Sequence, residues 1–195
     1  MPLNGWWRPG LLCLVLVTSS CGSIPTDSDE AGSESNDRTY VDENWGFQID
    51  IPDSSTWGYS AQTSTQDRLA NGLPRTEVRI TQVPGEGSNF WPSLLLQANA
   101  LDGDETVESF AQGVELYYKA TYMGYQPEAK RYYQVAGAEV AEWLFTTVRI
   151  RTRGDRYMAA VVKDNRKGYL LLGSGLGSVF PLENYREMVS SMKFR

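Results

Sequence analysis

The sequence predicts an α+β domain in which an antiparallel sheet is sandwiched by helices. Three observations carry that expectation. Residues 47–51 and 77–83 alternate apolar and polar side chains, the period of half-buried strands. Residues 131–135, 138–152, 156–163 and 168–172 follow one another closely, divided by Gly- and Asp-containing turns, as antiparallel hairpins do. Two stretches, after residue 106 and after Pro181, instead repeat their apolar residues at helical spacing. Strands, helix, strands, helix is the order of a sheet with helices packed on it.

Each element has its local reason. Phe47, Ile49 and Ile51 alternate with Gln48 and Asp50; Asn44-Trp45-Gly46 makes the turn before them, and Pro52, lacking an N–H, ends the ladder. Trp57 follows a polar corner. Val78, Ile80 and Gln82 oppose Arg79, Thr81 and Val83, and Pro84-Gly85-Glu86-Gly87 is a loop. Residues 94–101 form a more apolar run, too short for a full helix and expected as a buried strand. Asp104 or Thr106 caps a helix starting near Val107, with Val107, Phe110, Val114, Tyr117 and Tyr118 as its stripe. Gly113 costs that helix about 1 kcal/mol against Ala, and it stops by Gly124. In the strand 138–152, Val140, Leu144, Val148 and Ile150 share a face, and residues 153–155 and 164–168 are the turns that follow. Pro181 occupies the first turn of the last helix, whose stripe is Leu182, Tyr185, Met188, Val189 and Met192. Residues 191–195 return to extended structure, and no internal repeat is present.

The N-terminus reads differently. Residues 1–10 carry Arg8 and no acid, residues 11–17 are apolar, and small hydroxyl residues follow. This is the layout of a secretory signal peptide over residues 1–20. The apolar core is far below the roughly 18 residues of a membrane-spanning helix. Cys21, directly after Thr18-Ser19-Ser20, resembles the acylated cysteine of the bacterial lipobox, although Thr18 stands where that family prefers Leu. The resemblance implies a lipid anchor on Cys21 as the mature first residue. Residues 21–39, rich in Gly, Ser, Asp and Glu, cannot bury enough surface to order themselves. They read as an acidic tether with a reach of roughly 25 Å. Residues 40–195, roughly 155 in number, suffice for one domain with its own core.

Composition excludes several functions. The net charge is −6, and losing Arg8 with the leader makes it more negative, so nucleic acid is not an expected partner. No histidine occurs anywhere, which removes Ser-His-Asp and Cys-His nucleophiles and every imidazole metal site. The only two cysteines, Cys13 and Cys21, lie in the N-terminal segment, so the domain has no disulfide.

The run Asn44-Trp45-Gly46-Phe47-Gln48-Ile49-Asp50-Ile51-Pro52, with Trp57 beyond it, resembles the first strand of the PsbP-like proteins. So do a mid-chain helix over 107–118, a strand introduced by Gly137, a final hairpin and a closing helix ending Ser190-Ser191-Met192-Lys193-Phe194. The similarity spans roughly residues 40–194, in hydrophobic spacing more than signature residues. That family comprises relatives of the extrinsic photosystem II subunit and many bacterial envelope lipoproteins, LpqN-type mycobacterial ones among them. It implies an α/β/α sandwich shared with Mog-type Ran-binding proteins, and a non-enzymatic binding or assembly role. The family's manganese and calcium chemistry finds no matching ligand position here.

Four groups merit a site reading. Arg149, Arg151 and Arg153 alternate, with Arg156 beyond the turn, so one strand face is expected to carry a positive stripe for lipid head groups or an acidic partner. Its bland reading is the solvated end of a hairpin. Gly173-Ser174-Gly175-Leu176-Gly177-Ser178 has the flexibility of a phosphate cradle but no Walker lysine, and a plain connection explains it better. Asp102-Gly103-Asp104-Glu105 offers carboxylates to calcium without EF-hand spacing, and a polar helix lead-in explains it more simply. Trp91, Tyr117, Tyr118, Tyr122, Tyr125, Tyr132, Tyr133 and Trp143 could line an apolar groove, and as core and rim residues they need no ligand. The expectation is an exported, membrane-anchored, non-catalytic lipoprotein without metal or cofactor, which binds an envelope or secreted protein. A carrier of a small apolar ligand or lipid is the alternative.

Overall fold

A computed structural model of the chain describes residues 38–52, 57–68, 73–82, 91–149, 152–164, 166–175 and 180–195. In chain order its elements are β1 (Thr39–Asp42), β2 (Phe47–Asp50), β3 (Trp57–Arg68), β4 (Pro74–Gln82), β5 (Ser93–Ala100), α1 (Val107–Thr121), β6 (Gln126–Pro127), β7 (Arg131–Val135), β8 (Ala138–Arg149), β9 (Thr152–Lys163), β10 (Lys167–Gly175), α2 (Leu182–Ser190) and β11 (Lys193–Phe194). An eight-stranded antiparallel sheet runs β3-β4-β5-β10-β9-β8-β6, with β7 also paired to β8. A three-stranded sheet, β1-β2-β11, is the second unit of pairing.

The large sheet is covered on both sides, as the α+β sandwich requires. On one face lie α2 and the small sheet, which bring Trp45, Phe47, Ile49, Tyr185, Met188 and Val189 onto Val78, Leu96, Tyr157, Val161 and Leu171. On the other, α1 sets Val107, Ala111 and Tyr118 against Ala141, Trp143, Phe145, Met158 and Ala160. β9 and β10 lie between these layers, so their side chains are buried on both faces and Tyr157–Val162 is apolar without alternation.

Both helices start near the expected residues. Thr106, not Asp104, caps α1: its hydroxyl accepts from the Ser109 N–H, and Ser109 returns a bond to the Thr106 N–H. Pro181 stands one residue before α2 rather than inside its first turn. β1, β3 and β6 have no clear apolar alternation and were not anticipated. The loop expected over 84–87 lies outside the described residues.

One turn was misplaced. The sequence suggests a strand through residue 152 and a turn at 153–155, yet β8 ends at Arg149 and β9 begins at Thr152. Gly154 and Asp155 are strand residues opposite Thr147 and Thr146. The buried pairs Leu144↔Tyr157 and Val140↔Val161 fix this register. A turn centred on Gly154 would move those partners out of line, and register follows the buried face rather than the local Gly-Asp signal.

The glycine run after β9 is likewise structural at its start. Gly173, Ser174 and Gly175 belong to β10. A Cβ on Gly173 would stand 2.6 Å from the Tyr185 ring, and one on Gly175 2.3 Å from the Phe180 ring. These glycines admit α2 and its approach to the sheet. Residues 176–178 lie outside the described residues.

Candidate functional site

Among the described residues, α1 covers the β8-β9 part of its side of the large sheet, and no described element packs over the β3-β4-β5 half of that face. Register shows what this leaves open. One row across the sheet reads Ser60, Arg79, Leu95, Leu172, Met158, Trp143; the next reads Gln62, Glu77, Gln97, Leu170, Ala160, Ala141. Both pass from polar at the β3 edge to apolar beneath α1.

Side chains on the open half bond to one another. Gln97 Nε2 donates to Glu77 Oε2 at 3.1 Å, Arg79 lies 3.7 Å from Glu77 Oε1, and Ser93 and Ser174 share a 3.0 Å hydroxyl contact. Arg79 and Ser60 are exposed, while Leu95, Gln97 and Asn99 are half-buried. The surface thus offers hydrogen-bond donors and acceptors, one ion pair and an apolar fringe at Leu95 and Leu172.

Beneath α1, aromatic rings touch one another. Tyr118 meets Phe145 with ring centroids 5.9 Å apart, Tyr125 meets Phe145 at 4.9 Å, and Tyr118 stacks on Tyr122 at 5.4 Å. Trp143 Nε1 donates to the Tyr125 hydroxyl at 3.1 Å, and the Lys130 ammonium lies 5.4 Å from the Trp143 ring while pairing with Glu115. Burial raises the Tyr118 phenol well above its ordinary value. Of the aromatic residues considered as a groove, Tyr117, Tyr118, Tyr122, Tyr125 and Trp143 gather here. Tyr133 packs on the opposite face, and Trp91 and Tyr132 are exposed.

A second polar centre escaped the sequence reading. Glu142, 2% exposed, points into the face beneath α2. Its Oε1 accepts from Arg186 Nε at 3.0 Å and lies 3.6 Å from Arg131; its Oε2 accepts from the Tyr133 and Tyr157 hydroxyls at 2.9 and 3.2 Å. Burial above all, with the Glu142 charge adding to it, pushes both phenols far up, so at neutral pH they remain donors. Burial alone would lower the Arg186 guanidinium, but Glu142 and Glu183 more than reverse that. With both oxygens occupied, this carboxylate ties α2 to β7, β8 and β9. The signal was an acid in the row Val140, Glu142, Leu144.

The arginines expected to form a stripe lie at the β8-β9 hairpin. Arg149 closes β8 opposite Thr152, whereas Arg153 lies on β9 opposite Val148. Arg151 lies outside the described residues. Arg156 is on the α1 face, half-buried between Phe145 and Ser174. Asp102, Gly103 and Asp104 are exposed, and Glu105 accepts from the Ser109 hydroxyl. Among the described residues, no three acidic side chains gather in a metal-holding group. Cys21 lies outside the described residues. Among those described, no helix is long and apolar enough to cross a membrane.

No family sequence model matches this chain, and no curated protein matches it in sequence. Solved structures do share its fold. Cyanobacterial PsbP (CyanoP) from Synechocystis superposes with a TM-score of 0.57 at 12% identity, over 86% of this chain and 98% of that one. LpqN of Mycobacterium tuberculosis, involved in cell envelope biogenesis, gives 0.53 at 13% identity, over 76% and 84%. PA94 of Pseudomonas aeruginosa, of unknown function, gives 0.51 at 9% identity, over 80% and 96%. The chain therefore has the PsbP-like, LpqN-type fold that the sequence resembles.

Proposed function

We propose that this chain is a non-catalytic envelope lipoprotein, exported and acylated at Cys21, whose domain binds another envelope or secreted protein as an assembly or binding factor. The observation that carries the recognition role is the β3-β4-β5 half of the sheet, over which none of the described elements packs, polar at its edge and apolar toward α1. The leader and Cys21 support the anchor, and the fold shared with LpqN supports an envelope setting. The domain then stands on the extracytoplasmic side, held by the acidic tether. Rings in mutual contact beneath α1 take up the ground where a carried apolar ligand would lie, which favours protein contact over carriage.

The test is capture from native membranes with the intact chain as bait. A variant carrying Arg79→Glu and Leu95→Arg alters the open face, where both side chains reach solvent. A second variant reverses Arg149, Arg151, Arg153 and Arg156. Loss of at least tenfold of a partner with the first variant, and its retention with the second, is the expected result. Loss with the second alone moves the contact to the β8-β9 hairpin, and identical capture by all three chains contradicts the reading.

A further inference from the structure

The large sheet has two borders of opposite character. At one, β8 is closed by the short β6 and β7, and this rim holds Pro127, Glu128, Lys130 and Arg131. Proline and charge at an edge stop further strands from adding. At the other border β3 runs 12 residues, and among the described residues it pairs with β4 alone. That pairing is unbroken from Trp57 to Ser64, before a register shift.

The first half of β3 lacks those protections, whereas Asp67 and Arg68 follow beyond the register shift. Between Trp57 and Thr63 there is no charge and no proline, and Gly58, Tyr59, Ser60, Ala61, Gln62 and Thr63 are all exposed. Every second residue of an edge strand turns its N–H and C=O outward, in the pattern another extended backbone satisfies. We propose that a second copy of this chain supplies that backbone, β3 pairing with β3 antiparallel across a twofold axis at Ser60.

Two features of the strand fit a second copy. A twofold axis normal to the sheet keeps each face with its like, so odd-numbered residues meet odd-numbered ones. With Ser60 on the axis, Tyr59 stands opposite Ala61 of the second copy, Gly58 opposite Gln62, and Trp57 opposite Thr63. Each of these rungs sets a larger side chain against a smaller one, the volume matching that cross-strand pairs favour. Charge does not oppose the pairing either. On the neighbouring strand β4, Arg79 and Glu77 stand opposite Ser60 and Gln62 and bridge each other at 3.7 Å. The result is one sheet continuous through both copies, with the open faces of the two on the same side.

Sedimentation equilibrium of the full chain carrying Cys21→Ala tests this without acyl chains or any outside partner, and so separately from the anchor and the proposed partner. The apparent mass should rise from one chain toward two across the micromolar range. Ser60→Lys and Ser60→Glu, at an exposed position, should each weaken the dimer at least tenfold, because like charges then meet on the axis. Mixing the two variants should restore a dimer, with circular dichroism verifying that each is folded. A chain that stays single at every concentration, or a dimer that both substitutions leave intact, overturns the proposal.

Discussion

Glu142 shows how a single side chain can organise a packing layer. A carboxylate at 2% exposure is costly unless its oxygens are satisfied. Here two phenols and one guanidinium satisfy them from three different elements. Replacing Glu142 with Ala leaves the Arg186 and Tyr157 donors facing an empty place. Stability in urea should fall by about 3–5 kcal/mol, with Glu142→Gln costing less. A loss under about 1 kcal/mol would mean that solvent already reaches the site. The sequence displayed this acid within an apolar alternation, but its partners are distant in the chain. Arg186 follows it by 44 residues and becomes adjacent only when α2 docks.

At the scale of elements, local signals were reliable where burial and turn chemistry agreed. α1, α2, β2, β5 and β7 lie close to where periodicity put them, because their apolar residues repeat without competing turn residues. Gly154-Asp155 misled because a Gly-Asp pair signals a turn, while the buried rungs on either side required a strand. β3 was invisible for a related reason: its residues 58–63 are all exposed and leave no apolar alternation to read. Glycine itself carries opposite meanings in this fold. Gly173→Ala drives a methyl against the Tyr185 ring and should destabilise the domain by about 1–3 kcal/mol. Gly113→Ala, in α1 with nothing within 4 Å of the new Cβ, should stabilise it by up to about 1 kcal/mol. Thermal unfolding of the two variants checks the pair. Equal signs would contradict the packing described for β10 and α2.

For the whole molecule, the sandwich was legible from element order, and the shared fold with PsbP and LpqN structures agrees with it. The face proposed for contact was not, because it is set by where α1 lands among the described elements rather than by any motif. An acidic chain without histidine can form neither a Ser-His-Asp triad nor an imidazole metal site. In the proposed reading the place of the domain in the cell depends on its N-terminus. Intact mass spectrometry of the chain purified from its own membranes measures that dependence directly. The account predicts a mature chain beginning at Cys21 and heavier than its polypeptide by acyl groups. A chain that retains residues 1–20, with no added acyl mass, contradicts it.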